Sequence, residues 1–247
     1  LYALAIEGNH IQFPAMFPGA NRAQFMRDFN SSVARAVPRR QIRHPGGRFW
    51  ARRYSAEYLP NSQDIEEQFF YTVLQPVQDG LVDDIRDYPG YNCFEDAISG
   101  TKRSYKVVDW KAYNDARRWN DSVRIEDFTM YCELSYERLP GYEALSQKQY
   151  MAVMREKLKE RTRLLLETRQ GQQSLGAAAL RQIKPGALPR KTKTSTLFSH
   201  RPRVLSREHS WRAKGKAWYF SIYFEYREAS EKYRRGKLNV KFPPGTY

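Results

Sequence analysis

The thirteen residues FYTVLQPVQDGLV, Phe70 to Val82, carry the main indication of structure in the amino-terminal part of this chain. They begin within a helical pattern of apolar residues, and Pro76 is expected to stop the helix because proline lacks an amide proton. Tyr71 and Gln75 are one helical turn apart, so their side chains project from the same face. A phenol beside an amide oxygen suits a nucleophile next to a metal ligand.

The helix that carries Tyr71 is predicted to begin at Asn61 or Ser62, since either side chain can accept a hydrogen bond from a first-turn amide. Glu67, one turn before Tyr71, is close enough in sequence to contact the metal ion, but it is expected to lie in solvent. Gln75 can be interpreted in two ways, as a metal ligand or as a cap at the helix end before proline.

A second group of polar residues lies near the amino terminus. Tyr2 to Phe13 alternates loosely between apolar and polar residues, which predicts a β-strand with an irregularity at Gly8-Asn9. In such a strand His10 and Gln12 point to the same side of the sheet. With Gln75, three neutral nitrogen and oxygen ligands would then converge.

The rest of the chain predicts a mixture of elements. A helix is expected from Asn21 to Pro38, and a short strand from Arg48 to Tyr54. After a loop at Asp83–Gly100 the chain is predicted to be mostly helical. The helices expected there are Trp110–Trp119, Ser146–Arg169 and Trp211–Arg235, the last ending at Gly236 as a C-cap.

The positive charge is concentrated in the carboxy-terminal part of the chain, residues 101–247. The formal net charge is +15, yet residues 1–100 hold 10 Lys and Arg against 12 Asp and Glu. Such an excess usually faces a polyanion, because clustered cations displace counterions condensed on nucleic acid. Arg181 to Lys216 holds eleven basic residues and one acid, which predicts an extended basic arm. We therefore predict three parts, residues 1–100, a helical region 101–180, and an arm with a C-terminal helix, 181–247.

Arginines also cluster before Tyr71. Arg35 to Arg53 contains seven arginines and no acid, which favours phosphate contact over a solvated face. Trp211, Trp218 and Tyr219 are read either as core residues or as stacking partners for unpaired bases. The residues expected to hold phosphates are Arg48, Arg52 and Arg53 here, and Arg190, Lys191, Lys193, Arg201 and Arg203 in the basic arm.

Several classes of protein are disfavoured. Cys93 and Cys132 are too few for a disulfide framework or a zinc site. The apolar runs are far shorter than the roughly 20 residues of a membrane span, so no membrane partner is expected. His44, His200 and His209 have no triad or zinc spacing, and no phosphate-binding loop is present.

Two motifs resemble those of single-tyrosine HUH transposases. Asn9-His10-Ile11-Gln12 resembles the family's NHxH strand. Phe70 to Val82 resembles its signature of tyrosine, three residues, Asn or Gln, Pro-Val, two residues and Gly-Leu-Val. The helix from Asn21, the segment Gly47–Tyr54 and Asp87-Tyr88-Pro89 match in order, so the resemblance covers about residues 1–100. The family includes transposases of small insertion sequences and REP-associated tyrosine transposases.

The resemblance implies a ferredoxin-like α+β core, whose N-terminal part we expect to precede Leu1, followed by a mostly helical, basic extension. It implies that Tyr71 cuts single-stranded DNA near hairpins through a 5′-phosphotyrosine, for DNA transposition and recombination. Mg²⁺ or Mn²⁺ on His10, Gln12 and Gln75 would activate the phosphate, because a tyrosine with its ordinary pKa of about 10 is a weak nucleophile. The expected location is the bacterial cytoplasm, with the nucleoid.

One departure from the family keeps alternatives open. Gln12 stands where the family has a second histidine, and an amide binds Mg²⁺ through oxygen with less charge donation. Related HUH nucleases do use His-hydrophobic-Gln. The chain is alternatively a catalytically inactive, domesticated protein that binds structured nucleic acid, or a scaffold whose basic arm binds proteins. Whether a homodimer shares the active site is also left open.

Overall fold

The computed structural model describes residues 1–40, 47–184, 187 and 204–246. The described part is an α+β structure, about 50% helical with two small antiparallel sheets. This confirms the predicted class, whereas the ferredoxin-like core stays a prediction. The strands are β1 (Ala5–Ile6), β2 (Ile11–Gln12), β3 (Arg103–Val108) and β4 (Thr129–Leu134), and the helices are α1 (Arg22–Arg40), α2 (Ser62–Gln78), α3 (Phe94–Ser99), α4 (Trp110–Arg117), α5 (Gln147–Thr168), α6 (Ala177–Gln182) and α7 (His209–Arg234).

The amino-terminal segment is a tight hairpin, so the prediction of one strand over Tyr2–Phe13 is wrong. Strand β1 pairs antiparallel with β2, with Ala5 opposite Gln12 and Ile6 opposite Ile11. The Glu7 amide donates to the His10 carbonyl over 2.9 Å and closes the turn. Gly8 and Asn9 lie in the turn between β1 and β2 and not in a bulge within one strand. Glycine and asparagine are favoured in such turns as well as in bulges, so the residue types alone do not distinguish the two.

Both predicted proline stops are wrong by two residues. Helix α1 continues through Pro38 to Arg40, and α2 continues through Pro76 to Gln78. A proline so close to the end removes one hydrogen bond and leaves little helix to distort. The predicted strand at Arg48–Tyr54 is also wrong, since none of these residues lies in a strand and residues 49–52 form bends.

The later helices lie close to their predicted positions. Ser146 caps α5 by accepting from the Gln149 amide, with the reciprocal bond of a capping box. Helix α7 ends before Gly236, whose φ of 90° suits a residue without a Cβ. The prediction missed the β3–β4 hairpin, where Tyr105 pairs with Cys132. Its residues are mostly exposed on both faces, so no apolar alternation marks them.

The chain divides into two compact units. The first comprises Leu1–Ala15 and Phe69–Leu175, and the second comprises the described residues of Met16–Gln68 and Gly176–Tyr247. The domain boundaries predicted near residues 100 and 180 stay a prediction. No helix of the described residues is long and apolar enough to cross a membrane.

The core of the first unit forms around α2. Phe69 and Phe70 are fully buried and meet edge to face, with ring centroids 5.4 Å apart. The Phe94 ring of α3 lies 6.2 Å from that of Phe69. On the other side the Arg161 guanidinium of α5 stacks over Phe70 at 4.5 Å. These contacts hold the second half of α2 in place.

In the second unit, α7 packs on the segment around Tyr58. The Tyr58 and Trp218 rings lie 5.2 Å apart, and Tyr58 forms an isolated parallel bridge with Val204. The Trp50 indole donates to the Asn30 carbonyl of α1 over 2.8 Å. This hydrogen bond anchors the residues around Trp50 to α1.

Candidate active site

Helix α2 presents Tyr71 at the surface of an otherwise buried stretch. Its neighbours Phe70 and Thr72 are fully buried, while 43% of Tyr71 is exposed. Such alternation within one turn arises because successive helical residues point about 100° apart. The Tyr71 ring is therefore accessible on a helix that packing holds rigidly.

Gln75 lies one turn after Tyr71 and is only 8% exposed. Its Oε1 atom is buried without a hydrogen-bond partner among the described residues. An unsatisfied buried acceptor costs about 1–3 kcal/mol, so such atoms often mark a bound water or ion. Gln75 does not cap the helix end, because α2 continues three residues further to Gln78. The capping interpretation is thus wrong.

Gln12 lies on the buried side of the β1–β2 hairpin. In an antiparallel pair, residues directly opposite share a face, and Gln12 is opposite Ala5, which is almost fully buried. The Gln12 side chain is partly buried. Its amide is therefore on the side where a ligand of an interior site would have to be.

His10 lies in the turn and not on a strand as predicted. Its Nδ1 atom is 2.6 Å from Asn9 Oδ1 and 3.9 Å from Glu7 Oε2. Nδ1 thus faces two oxygen atoms. In the neutral tautomer protonated at Nδ1, Nε2 is the ring nitrogen that can bind a metal ion.

Glu7 is the residue of this site that the sequence analysis missed. Only 4% of its side chain is exposed, and Oε1 has no hydrogen-bond partner among the described residues. Burial raises the pKa of Glu7, the nearby His10 opposes that rise, and the negative charge of Asp79 adds to it. The alternation of Ala3, Ala5 and Glu7 on one side of the strand would have indicated a buried carboxyl.

A short segment after α2 ties the hairpin to the Tyr71 helix. The Asn92 side chain donates to the Val73 carbonyl of α2 over 2.7 Å, and Asn92 also bridges to Ala5 of β1. The Ile6 amide donates to the Tyr91 carbonyl over 3.1 Å. The hairpin and α2 are thereby held through one common segment of the first unit.

The described residues contain no group of three or more His, Cys, Asp or Glu side chains that could hold a metal ion. The predicted set has one imidazole and two amides and so is not a group of that kind. The contact that the structure shows is between His10 and Glu7. Convergence of His10, Gln12 and Gln75 beside the Tyr71 hydroxyl stays a prediction.

The predicted phosphate contacts are described only in part. Arg48, Arg52 and Arg53 are all exposed, and the Arg53 guanidinium lies 5.7 Å from the centre of the Tyr54 ring. Glu67 is not simply solvated, since it forms an ion pair of 2.8 Å with Arg207. The predicted contacts of the basic arm, Arg190, Lys191, Lys193, Arg201 and Arg203, lie outside the described residues.

Comparison of this chain with protein-family models, curated proteins and solved structures finds no match.

Proposed function

We propose that this chain is a metal-dependent, single-stranded DNA endonuclease and strand transferase of the single-tyrosine HUH type. The observation that supports it most is the α2 face, where an exposed Tyr71 precedes Gln75, whose buried oxygen has no partner in the described structure. The motifs around both residues carry the resemblance. The fold we propose for the amino-terminal part of the chain is a ferredoxin-like core.

The donor set fits a hard divalent cation such as Mg²⁺ or Mn²⁺. His10, Gln12 and Gln75 would hold the ion, and such ions prefer oxygen ligands. Glu7, whose Oε2 atom lies 3.9 Å from His10 Nδ1, would raise the basicity of that imidazole and so offset the charge donation lost where Gln12 replaces a histidine. Two unsatisfied buried oxygens, one on Glu7 and one on Gln75, support this assignment. When bound, the ion supplies Lewis acidity to a non-bridging phosphate oxygen.

Tyr71 performs the bond exchange. Its phenol oxygen forms a bond to phosphorus while the bond from phosphorus to the 3′ oxygen breaks. The phenol loses its proton and the departing 3′ oxygen gains one, which leaves a 5′-phosphotyrosine and a 3′-hydroxyl. Attack of a 3′-hydroxyl on the phosphotyrosine reverses the step and joins strands, so no ATP is needed. The rigid packing of α2 positions the nucleophile.

The exposed arginines serve binding and not chemistry. Arg48, Arg52 and Arg53 lie on a segment that the Trp50 indole anchors to α1. Guanidinium groups on a fixed segment suit phosphates of a folded strand, which set orientation without reading sequence. The partner we propose is therefore single-stranded or hairpin DNA, and the site of action is the bacterial nucleoid.

The direct test is a covalent adduct. The full chain is incubated with hairpin-bearing single strands labelled at the 3′ end and Mn²⁺, because Tyr71 would keep the 3′ fragment. We expect labelled protein that survives denaturation, and loss of that label in Tyr71→Phe. Tyr131→Phe is the matched control, since Tyr131 is exposed but outside the motif. Absence of an adduct from wild type across many hairpins would refute the enzyme proposal.

A second candidate is an inactive protein that binds structured nucleic acid. The replacement of the family's second histidine by Gln12 favours it, as do the exposed arginines. It predicts that hairpin binding survives both Tyr71→Phe and His10→Ala, with no adduct from any variant. Sedimentation of the chain with and without DNA would show whether a homodimer forms in either case.

A further inference from the structure

Helix α7 packs in the second unit through one face. Gly215 lies against Val204, where an added Cβ would come within 2.8 Å of a Val204 methyl carbon. Ala229 is buried, and the Tyr226 ring lies 5.7 Å from that of Phe242. Gly215, Tyr226 and Ala229 are separated by sums of three-residue and four-residue steps, so they form one stripe along the helix.

The opposite face of α7 exposes aromatic rings. Phe220, Tyr223 and Phe224, called here the aromatic face, are 48%, 42% and 59% exposed. The Phe220 and Phe224 rings are stacked, with centroids 6.2 Å apart and planes at 29°. Contiguous exposed apolar surface of this kind usually marks a binding site. In α7, which is described throughout, the exposed large apolar side chains are all aromatic.

Basic residues frame the aromatic face. Lys216 is one turn before Phe220, and Arg227 is three residues after Phe224, so both lie on that side of the helix. Residues 204–246 hold ten Lys and Arg against four Glu, a net charge of +6. Arg227 also pairs with Glu231 over 3.3 Å. The surroundings of the rings therefore favour a polyanionic partner.

We propose that the aromatic face of α7 binds single-stranded nucleic acid by stacking its rings on unpaired bases. Lys216 and Arg227 would contact the phosphates beside those bases. A second copy of the chain fits poorly because both copies would carry the same positive charge. A lipid surface would be served equally well by aliphatic side chains, whereas only rings stack on bases. The inference rests on the proposed function only for the choice of DNA over RNA.

The test measures binding of the full chain to a fluorescent oligothymidylate of about 20 nucleotides, longer than the site of a typical single-strand binding fold. Oligothymidylate forms no hairpin, and chelator is present, so neither cleavage nor a metal site is needed. The variants are Phe220→Ala/Phe224→Ala and Phe220→Leu/Phe224→Leu, with Trp119→Ala as control. Trp119 is 91% exposed and lies outside α7. Circular dichroism checks that each variant keeps its helix.

We expect both double variants to bind the single strand about 30-fold more weakly, since each lost ring contributes about a factor of five or more. Trp119→Ala should bind the single strand as wild type does. All variants should bind a duplex of the same length with nearly the same affinity as wild type. Lys216→Gln should flatten the dependence of affinity on salt between about 50 and 200 mM.

Three outcomes would overturn the proposal. In the first, both double variants bind oligothymidylate as well as wild type does. In the second, the leucine variant retains binding and phosphatidylserine vesicles displace the strand, which would indicate a membrane surface. In the third, the alanine variant abolishes self-association without changing DNA affinity, which would indicate a second copy. If Tyr71 forms no adduct but the aromatic face binds single strands, the proposed function fails and this inference stands.

Discussion

Replacing Gln75 by methionine is expected to stabilise the protein in the absence of divalent metal. Methionine has nearly the same length and volume as glutamine but carries no amide. The Gln75 side chain is buried, and its Oε1 atom has no hydrogen-bond partner among the described residues. The substitution therefore removes an unsatisfied acceptor from the core and leaves the packing of α2 nearly unchanged.

The expected size follows from two opposing effects. Removing the unsatisfied acceptor recovers about 1–3 kcal/mol, and fitting methionine in place of glutamine in a packed core costs about 1 kcal/mol. The net gain in the free energy of unfolding is about 1 kcal/mol, or about 2–4 °C in Tm for a chain of this size. Most substitutions in a core lower Tm, so a rise is a specific result.

Divalent metal should reverse the order of stability of wild type and Gln75→Met. An ion present at about 100 times its Kd stabilises the folded state by about 2.7 kcal/mol, and the methionine variant would lose most of that gain. The assay is thermal unfolding followed by circular dichroism, with chelator and then with a series of Mn²⁺ concentrations. Wild type is expected to melt below Gln75→Met in chelator and above it at high Mn²⁺.

Thr72→Val is the matched control on the same helix. Thr72 is fully buried but has interaction partners, so its loss should destabilise the protein by about 1 kcal/mol with and without metal. If Gln75→Met melts below wild type in chelator, the Gln75 oxygen is satisfied in the folded protein. If Mn²⁺ raises both proteins equally, Gln75 is not a ligand.

Three further substitutions test burial, packing and helix capping within the individual units. Burial raises the pKa of the Cys93 thiol from 9.0 to about 12, so the folded state retains that proton more tightly than the unfolded state. The stability this provides is complete below pH 9 and is lost as pH rises towards about 12, with about 1.4 kcal/mol lost by about pH 10. Cys93→Ala should therefore show a shallower loss of stability in urea titrations between pH 8 and 10, and equal slopes would contradict the burial of the thiol. Gly215→Ala should lower stability by about 1 kcal/mol, because the clash with Val204 outweighs the gain in helix propensity; a higher Tm would mean that α7 does not pack there. Asn61→Ala should cost about 1 kcal/mol, because the Asn61 side chain accepts from the Asp64 amide over 2.9 Å at the start of α2; an unchanged urea midpoint would show that another group caps the helix.

Local features were predictable from the sequence because they depend on residues within one or two turns. The predicted helix start at Ser146 and the predicted C-cap at Gly236 depend on hydrogen bonds and backbone angles at the helix ends. Tyr71 and Gln75 share a face for the same reason, since a helix fixes where residues four apart point. These predictions need no knowledge of what the helix packs against.

Features that depend on how strands pair and on which faces are buried were missed or misplaced. A run that alternates apolar and polar residues is compatible with one long strand or with two short ones. The 2.9 Å bond from the Glu7 amide to the His10 carbonyl selects the hairpin. The β3–β4 ribbon was missed because both of its faces are largely exposed, so its strands lack the pattern that burial imposes.

The amino-acid sequence was enough to predict the α+β class, the helix that carries Tyr71 and Gln75, and the excess of positive charge towards the end of the chain. Three features are visible only in the folded chain: Gln75 and Glu7 bury unsatisfied oxygens, His10 contacts Glu7, and α7 exposes its aromatic face. The physical reason is that burial is a property of the whole fold. A residue's direction on a helix is local, but whether that direction leads to solvent, to a carboxylate or to another helix depends on chain segments far away in sequence.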